Sequence, residues 1–219
     1  MMNDSYTMFS QVPIIPVIAI QHLEDAVPLA EALVAGGLTT LEVTLRTDCA
    51  AAAMRGIANQ VEGAVLGAGT VTTESQFHEV VDSGARFVVS PGHNDELFRA
   101  SGDTGIPLLP GAVTASEIMR VTGAGFPIVK FFPAATSGGH QAIEAFRGPF
   151  PSVKFIPTGG VNPKNLASYL SLSNVVAAGG SWMLPATLVQ NKDWPGITRL
   201  ATEACNLAKS LLTPEESKL

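Results

Sequence analysis

The chain has 219 residues, 46% of them hydrophobic and 15% charged, with a formal net charge of -6. That length and apolar content suit one α/β domain with a substantial core, and the sparse, net negative charge without any basic run excludes a nucleic-acid binder that needs a basic face. Cys49 and Cys205 form no CxxC pair, so they suggest neither a disulfide framework nor a zinc site, but ordinary thiols in a reducing compartment.

From the N-terminus, MMNDSYTMFSQ carries no lysine or arginine, and the apolar VPIIPVIAI that follows is too short to cross a bilayer and is interrupted by Pro13 and Pro16. A soluble, cytoplasmic chain with no membrane partner is expected. IIPVIAI (14–20) reads as a strand leading into a helix over 24–37, where Ala26, Ala30, Leu33 and Val34 share one face and Gly36 and Gly37 end it. TTLEVTL (39–45) is a strand, followed by a helix over 48–60 with Asp48 at its N-cap. AVLGAG (64–69) precedes a helix over 74–83, and RFVVS (86–90) one over 94–101. PLLPGA (107–112) precedes a helix opened by Thr114, with Glu117 three residues on in a capping-box pattern. PIVKFF (127–132) with a helix near 139–147, VKFIP (153–157) with one over 163–171, and NVVAAGG (174–180) with a last one over 195–211 complete the alternation.

Eight strands and about eight helices in so short a chain predict a closed (β/α)₈ TIM barrel of the α/β class, with an open doubly wound sheet as the structural alternative. No linker or low-complexity tract divides the chain, so 1–219 reads as a single domain with a short N-terminal extension and a frayed tail, TPEESKL (213–219).

In such a barrel, catalytic groups come from the C-terminal ends of the strands, and phosphate often binds the loops after strands seven and eight. Polar residues concentrate there, in EVTLRT, GAGT, VVSPG, VKFFPA, IPTGGV and AAGGSW. Side-chain alternation puts Glu42, Thr44 and Arg46 on one face of strand two, and Ile128, Lys130 and Phe132 on one face of strand six. Those strands lie four apart, so an inward Glu42 and an inward Lys130 would nearly meet, while Val129 and Phe131 would face the helices.

A lysine inside GFPIVKFFPA (125–134) calls for an explanation, because an ammonium is costly to bury unless it is paired or loses its proton. It can be half of a structural ion pair, or an outward side chain that snorkels to water. It can also be a nucleophile: an apolar wall favours the neutral amine, which attacks carbonyls, and the protonated imine then serves as an electron sink for carbon–carbon cleavage. Glu42 would move protons between imine, substrate hydroxyl and enamine, and Arg46, the first lysine or arginine of the chain, offers a planar fork for a carboxylate. The glycines after strands seven and eight, Gly159-Gly160 and Gly179-Gly180-Ser181, are either tight turns or a place where backbone N–H groups and the Ser181 hydroxyl receive phosphate. The four histidines, His22, His78, His93 and His140, lack metal-ligand spacing, and no GxSxG elbow, P-loop or GxGxxG fingerprint occurs. Trp182 and Trp194 read as packing or interface residues.

LEVTLRT (41–47), GAGTV (67–71), SPG (90–92), VKFFPA (129–134), PTGGV (157–161) and GGSW (179–182), in this order and at these intervals, closely resemble the KHG/KDPG aldolase family from about residue 12 to residue 212. The resemblance implies a class I aldolase: a (β/α)₈ barrel, usually a homotrimer, that reversibly cleaves 2-keto-3-deoxy-6-phosphogluconate to pyruvate and glyceraldehyde 3-phosphate. In many members 4-hydroxy-2-oxoglutarate is also cleaved, to pyruvate and glyoxylate. It makes Lys130 the Schiff-base lysine and Glu42 the general acid/base. Arg46 and Thr70 would bind substrate, Pro91 and Phe132 would shape the pyruvyl pocket, Thr158 would line it, and Gly159, Gly160, Gly180 and Ser181 would hold phosphate. No metal or organic cofactor is implied, because the protonated imine takes the place of a Lewis acid. One departure is Ala135, where many members have glutamate, which bears on local loop contacts only; keeping Arg46 favours the gluconate and hydroxyoxoglutarate branch over the galactonate one. The rival readings are a phosphosugar isomerase or epimerase on the same barrel, and a non-catalytic barrel that binds a phosphorylated ligand with Lys130 in a structural pair.

Overall fold

The computed structural model describes residues 8–11 and 13–212, so the expected frayed tail and the first residues of the N-terminal extension lie outside the described residues. Among the described residues there are eight strands: β1 (Ile14–Ile18), β2 (Thr40–Thr44), β3 (Val65–Gly69), β4 (Phe87–Val89), β5 (Leu108–Leu109), β6 (Ile128–Phe131), β7 (Lys154–Pro157) and β8 (Ala178–Gly180). All the strand pairings are parallel, in the order β5-β4-β3-β2-β1-β8, with β6 paired to β7. Two seams close the ring. Lys130 pairs with Gly111, its N–H donating to the Pro110 carbonyl at 2.9 Å. On the other side, the Phe155 N–H donates to the Asn174 carbonyl at 2.8 Å, and Thr158 pairs with Gly179. The closed barrel displaces the open sheet.

Several strands are shorter than the sequence predicts, for local reasons. β5 keeps two residues because Pro107 and Pro110 flank it and neither has an N–H for a ladder. Residues 174–177, expected in the last strand, approach β7 through single hydrogen bonds and only Ala178–Gly180 run as strand.

The helices are α1 (Met8–Gln11), α2 (Ala26–Ala35), α3 (Ala50–Gln60), α4 (Glu74–Asp82), α5 (Asp95–Thr104), α6 (Ala115–Gly123), α7 (Gly139–Phe146), α8 (Leu166–Leu170), α9 (Ala186–Gln190) and α10 (Trp194–Leu212). Asp48 does not cap α3: the N-cap is Cys49, which makes no side-chain cap bond. At α6 the expected capping box forms, with the Thr114 hydroxyl accepting from the Glu117 N–H at 3.3 Å and the Glu117 carboxylate accepting from Val113 and Thr114, each at 2.9 Å. The Val113 N–H bond is the main cause that holds the Glu117 carboxyl below the usual range, against partial burial and with help from Thr114 and His93. Thr73 and Gln76 make a second box at α4.

The apolar residues form two shells. Between sheet and helices lies the larger one, which takes Val129 and Phe131 of β6, as alternation requires. Inside the barrel, towards the N-terminal ends of the strands, Ile15, Phe87, Val89, Leu109, Ile128 and Ile156 pack around Phe9 of α1, whose ring meets Phe87 edge-on at 5.1 Å. The short N-terminal helix therefore supplies a stopper to one end of the barrel. Among the described residues no helix is long and apolar enough to cross a membrane.

Candidate active site

Two residues above Ile128 on the same face of β6, the interior changes character. Lys130 Nζ lies 2.9 Å from Glu42 Oε1 across the barrel, and the two residues are only 3% and 2% exposed. The Phe132 ring stands beside the amine, with its centroid 5.4 Å from Nζ. A carboxylate at hydrogen-bond distance both pairs with the ammonium and can take its proton, and an aromatic face on the other side limits water. β3 makes room for this pair: a Cβ at Gly69 would collide with the Glu42 carboxylate, so glycine is required there by space.

At the rim, Arg46 Nε donates to Thr70 Oγ1 at 3.3 Å. Thr70 has φ 62°, a left-handed conformation that is strained for a β-branched residue and concentrates at functional sites. Its hydroxyl thereby engages the Arg46 guanidinium at the rim. A cleft of about 120 Å³ is lined by Arg46, Phe132, Thr158, Gly159, Gly160, Gly180 and Ser181, together with Val17 and Val161. Seven of the sequence-selected residues thus share one cavity. Among the described residues Thr158 Oγ1 is buried with no hydrogen-bond partner, which leaves a hydroxyl available to a ligand, and a Cβ at Gly179 would collide with it. Gly159 and Gly160 have φ 94° and 80°, values that side chains rarely adopt, so the turn that brings their backbone to the cleft depends on glycine. A larger hollow of about 310 Å³ shares Val17, Arg46 and Ser181 with the cleft and extends between β1, α2 and α9.

Pro91 does not line the cleft. Its carbonyl packs where a Cβ at Gly111 would sit, and Gly111 pairs with Lys130, so Pro91 stands one strand away from the amine. Trp182 packs against the main core beside Gly180, and Trp194 lies at a surface groove between α2 and α10. Ala135 donates its N–H to the Gly159 carbonyl at 3.0 Å, so its contacts are with the glycine turn. Residues not selected from the sequence are Val17 and Val161, which line the cleft, and Gly69, whose missing side chain gives the Glu42 carboxylate space; Gly179, read from the sequence as part of a turn or a phosphate loop, does the same for the Thr158 hydroxyl. GAGT and GGSW displayed these glycines, but only the cross-barrel geometry shows what a side chain there would strike. Among the described residues no group of three or more His, Cys, Asp or Glu could hold a metal ion.

The arrangement combines a buried amine, an adjacent carboxylate, a guanidinium and a glycine-lined cleft. The sequence matches the family described as KDPG and KHG aldolase over residues 6–200, which reaches further towards the N-terminus than the motifs do and includes Phe9. It is 50% identical over 200 residues to the 2-dehydro-3-deoxy-phosphogluconate aldolase of Pseudoalteromonas atlantica, covering 91% of this chain and 93% of that one. To the KHG/KDPG aldolase of Escherichia coli strain K12 it is 49% identical over 197 residues, covering 90% and 92%. Among solved structures, the KDPG aldolase of Legionella pneumophila, with pyruvate captured as a covalent carbinolamine intermediate, has a TM-score of 0.89 and 48% identity, covering 93% of this chain and 98% of that one.

Proposed function

The chain belongs to the KDPG and KHG aldolase family and is a carbon–carbon lyase, and from that premise we propose how its residues carry out the cleavage. It is a class I aldolase that reversibly splits 2-dehydro-3-deoxy-6-phosphogluconate into pyruvate and glyceraldehyde 3-phosphate, and 4-hydroxy-2-oxoglutarate into pyruvate and glyoxylate. The observation that carries this reading is the buried contact of Lys130 with Glu42 beside Phe132, which also lines the glycine-rich cleft.

Glu42 relieves Lys130 of a proton, and the free amine attacks the C2 ketone to give a carbinolamine. Glu42 returns that proton to the departing hydroxyl, and loss of water leaves an iminium beside a carboxylate once more. The C3–C4 bond then breaks as Glu42 accepts the C4 hydroxyl proton; the bonding electrons pass to the iminium as an enamine, and the aldehyde departs. Protonation of the enamine at C3, with Glu42 as donor, and hydrolysis release pyruvate and restore the amine. Arg46 and Thr70 hold the carboxylate of the pyruvyl half, the Thr158 hydroxyl supplies a further polar contact, and Phe132 bounds the pocket, while Pro91 acts through its packing on Gly111, the backbone partner of Lys130. Gly159, Gly160, Gly180 and Ser181 receive the phosphate. Because the protonated imine performs the task of a Lewis acid, the reaction needs no metal or organic cofactor. The chain acts as a single barrel domain, in the cytoplasm, as a homotrimer.

The test is pyruvate release from both substrates by the parent protein and by Lys130→Ala, each with and without chelator. Chelator-resistant turnover that disappears in Lys130→Ala supports the imine route. Pyruvate release that survives the substitution, or that chelator abolishes, would contradict the imine route, and phosphosugar binding without turnover in the parent protein would point to a binding barrel.

A further inference from the structure

The turn Gly159-Gly160-Val161 is held from behind by two carboxamides. Asn165 Nδ2 donates to the Gly160 carbonyl at 2.9 Å, and Asn162 Nδ2 donates to the same oxygen at 3.1 Å. Neither amide is free to do anything else: Asn165 Oδ1 accepts from the Asn162 N–H at 2.8 Å, and Asn162 Oδ1 accepts from the Lys164 N–H at 3.0 Å. The two preceding carbonyls are also engaged, Gly159 by the Ala135 N–H at 3.0 Å and Thr158 by the Ala134 N–H at 2.8 Å.

A planar trans peptide points its N–H opposite to its C=O. Fixing the Gly159 and Gly160 carbonyls therefore fixes the N–H groups of Gly160 and Val161. Both residues line the cleft, and among the described residues neither N–H has a hydrogen-bond partner. Without a brace, two glycines in succession at positive φ would let this peptide rotate, because glycine has broad conformational freedom. Successive N–H groups directed into a concavity form an anion nest whose strength depends on their being held in place before the anion arrives.

We propose that Asn162 and Asn165 are positioning residues that pre-organise this nest, and so set the preference for a phosphorylated sugar acid over a shorter, unphosphorylated 2-oxo acid. The proposal rests on the aldolase reading for its two substrates, but the nest itself is tested by phosphate alone. Neither asparagine touches the reacting carbon atoms in this account, so the chemistry at Lys130 is left intact.

The experiment compares the parent protein with Asn162→Ala, Asn165→Ala and the double variant. Three quantities are measured: kcat and KM for the phosphorylated sugar acid, the same for 4-hydroxy-2-oxoglutarate, and the affinity for inorganic phosphate by titration. The double variant is expected to raise KM for the phosphorylated substrate, and to weaken phosphate binding, by about tenfold or more, as loss of two modest hydrogen bonds allows. Its kcat, and both constants for 4-hydroxy-2-oxoglutarate, should stay within about twofold. Equal losses on both substrates, or unchanged phosphate affinity, would overturn the positioning role. Absence of turnover on both substrates in the parent protein would instead defeat the aldolase reading, while the phosphate titration still decides the role of the asparagines.

Discussion

Two layers of the same barrel, a single inward position apart on β6, do opposite things. At Ile128 the interior is an apolar plug, filled by Phe9, Phe87, Val89, Leu109 and Ile156; at Lys130 it holds a charged amine against a carboxylate. β6 and its ladder to β7 run through both levels, so on this strand the contrast lies in the side chains. The lower layer contributes burial, and the upper layer gives up some of that stability, because two desolvated charges recover little more than their own solvation cost. A barrel of this kind can therefore hold a site that is poor for stability as long as the layer beneath is dry and well filled.

The largest effect expected is at the upper layer. Lys130→Met should lower kcat/KM by on the order of 10⁴-fold or more, since it removes the nucleophile outright. Combined with Glu42→Leu, it should leave thermal stability unchanged or raise it by about 1–4 kcal/mol, because an apolar pair replaces a buried ion pair. A double variant much less stable than the parent would mean that the pair holds the fold together, and the contrast between the layers would fail. Phe87→Ala probes the lower layer: it should cost about 3–5 kcal/mol in denaturant unfolding, with kcat retained at temperatures where the protein stays folded. Next comes the boundary between the levels. Gly69→Ala pushes a methyl group into the Glu42 carboxylate and should lower kcat by on the order of 10²-fold, as a misplacement of about an ångström does, with a smaller loss of stability.

The smallest effect lies outside both layers, at the capping box of α6. The Glu117 carboxyl is held below its ordinary range chiefly by the Val113 N–H, so the ionised form is favoured in the folded protein. Its contribution is fully present above the unfolded-state carboxylate pKa and is lost as pH falls through the lower folded value. Glu117→Gln should cost less than about 1 kcal/mol near neutrality, and the difference from the parent should close in the acidic range. Parallel stability curves across that range would contradict the assignment.

What the sequence displays clearly is periodic. Alternation along TLEVT and IVKF places Glu42 and Lys130 on inward faces, Phe131 on an outward one, and the strand count places β2 opposite β6. Thr114 and Glu117 announce their helix because the box is a local pattern, and the Thr73–Gln76 box is equally local though it was not singled out. Asp48 misleads for the converse reason: a good capping residue stands one position too early, and the chain begins α3 after Cys49. Features that depend on distant partners are not legible. α1 is four residues long and owes its place to Phe9 burying itself inside the barrel, which no helical period reveals. The braces from Asn162 and Asn165 follow no period either, since they exist only once the turn after β7 has folded back on itself.

The most direct test of the central claim, that Lys130 forms an imine in the upper layer, is reductive trapping. The folded protein is incubated with pyruvate, treated with borohydride, digested, and mapped by peptide mass spectrometry. A reduced pyruvyl adduct on the peptide containing Lys130, absent when pyruvate is omitted, is the predicted result. No adduct in a folded sample, or an adduct confined to another lysine, would contradict it and return Lys130 to a structural ion pair.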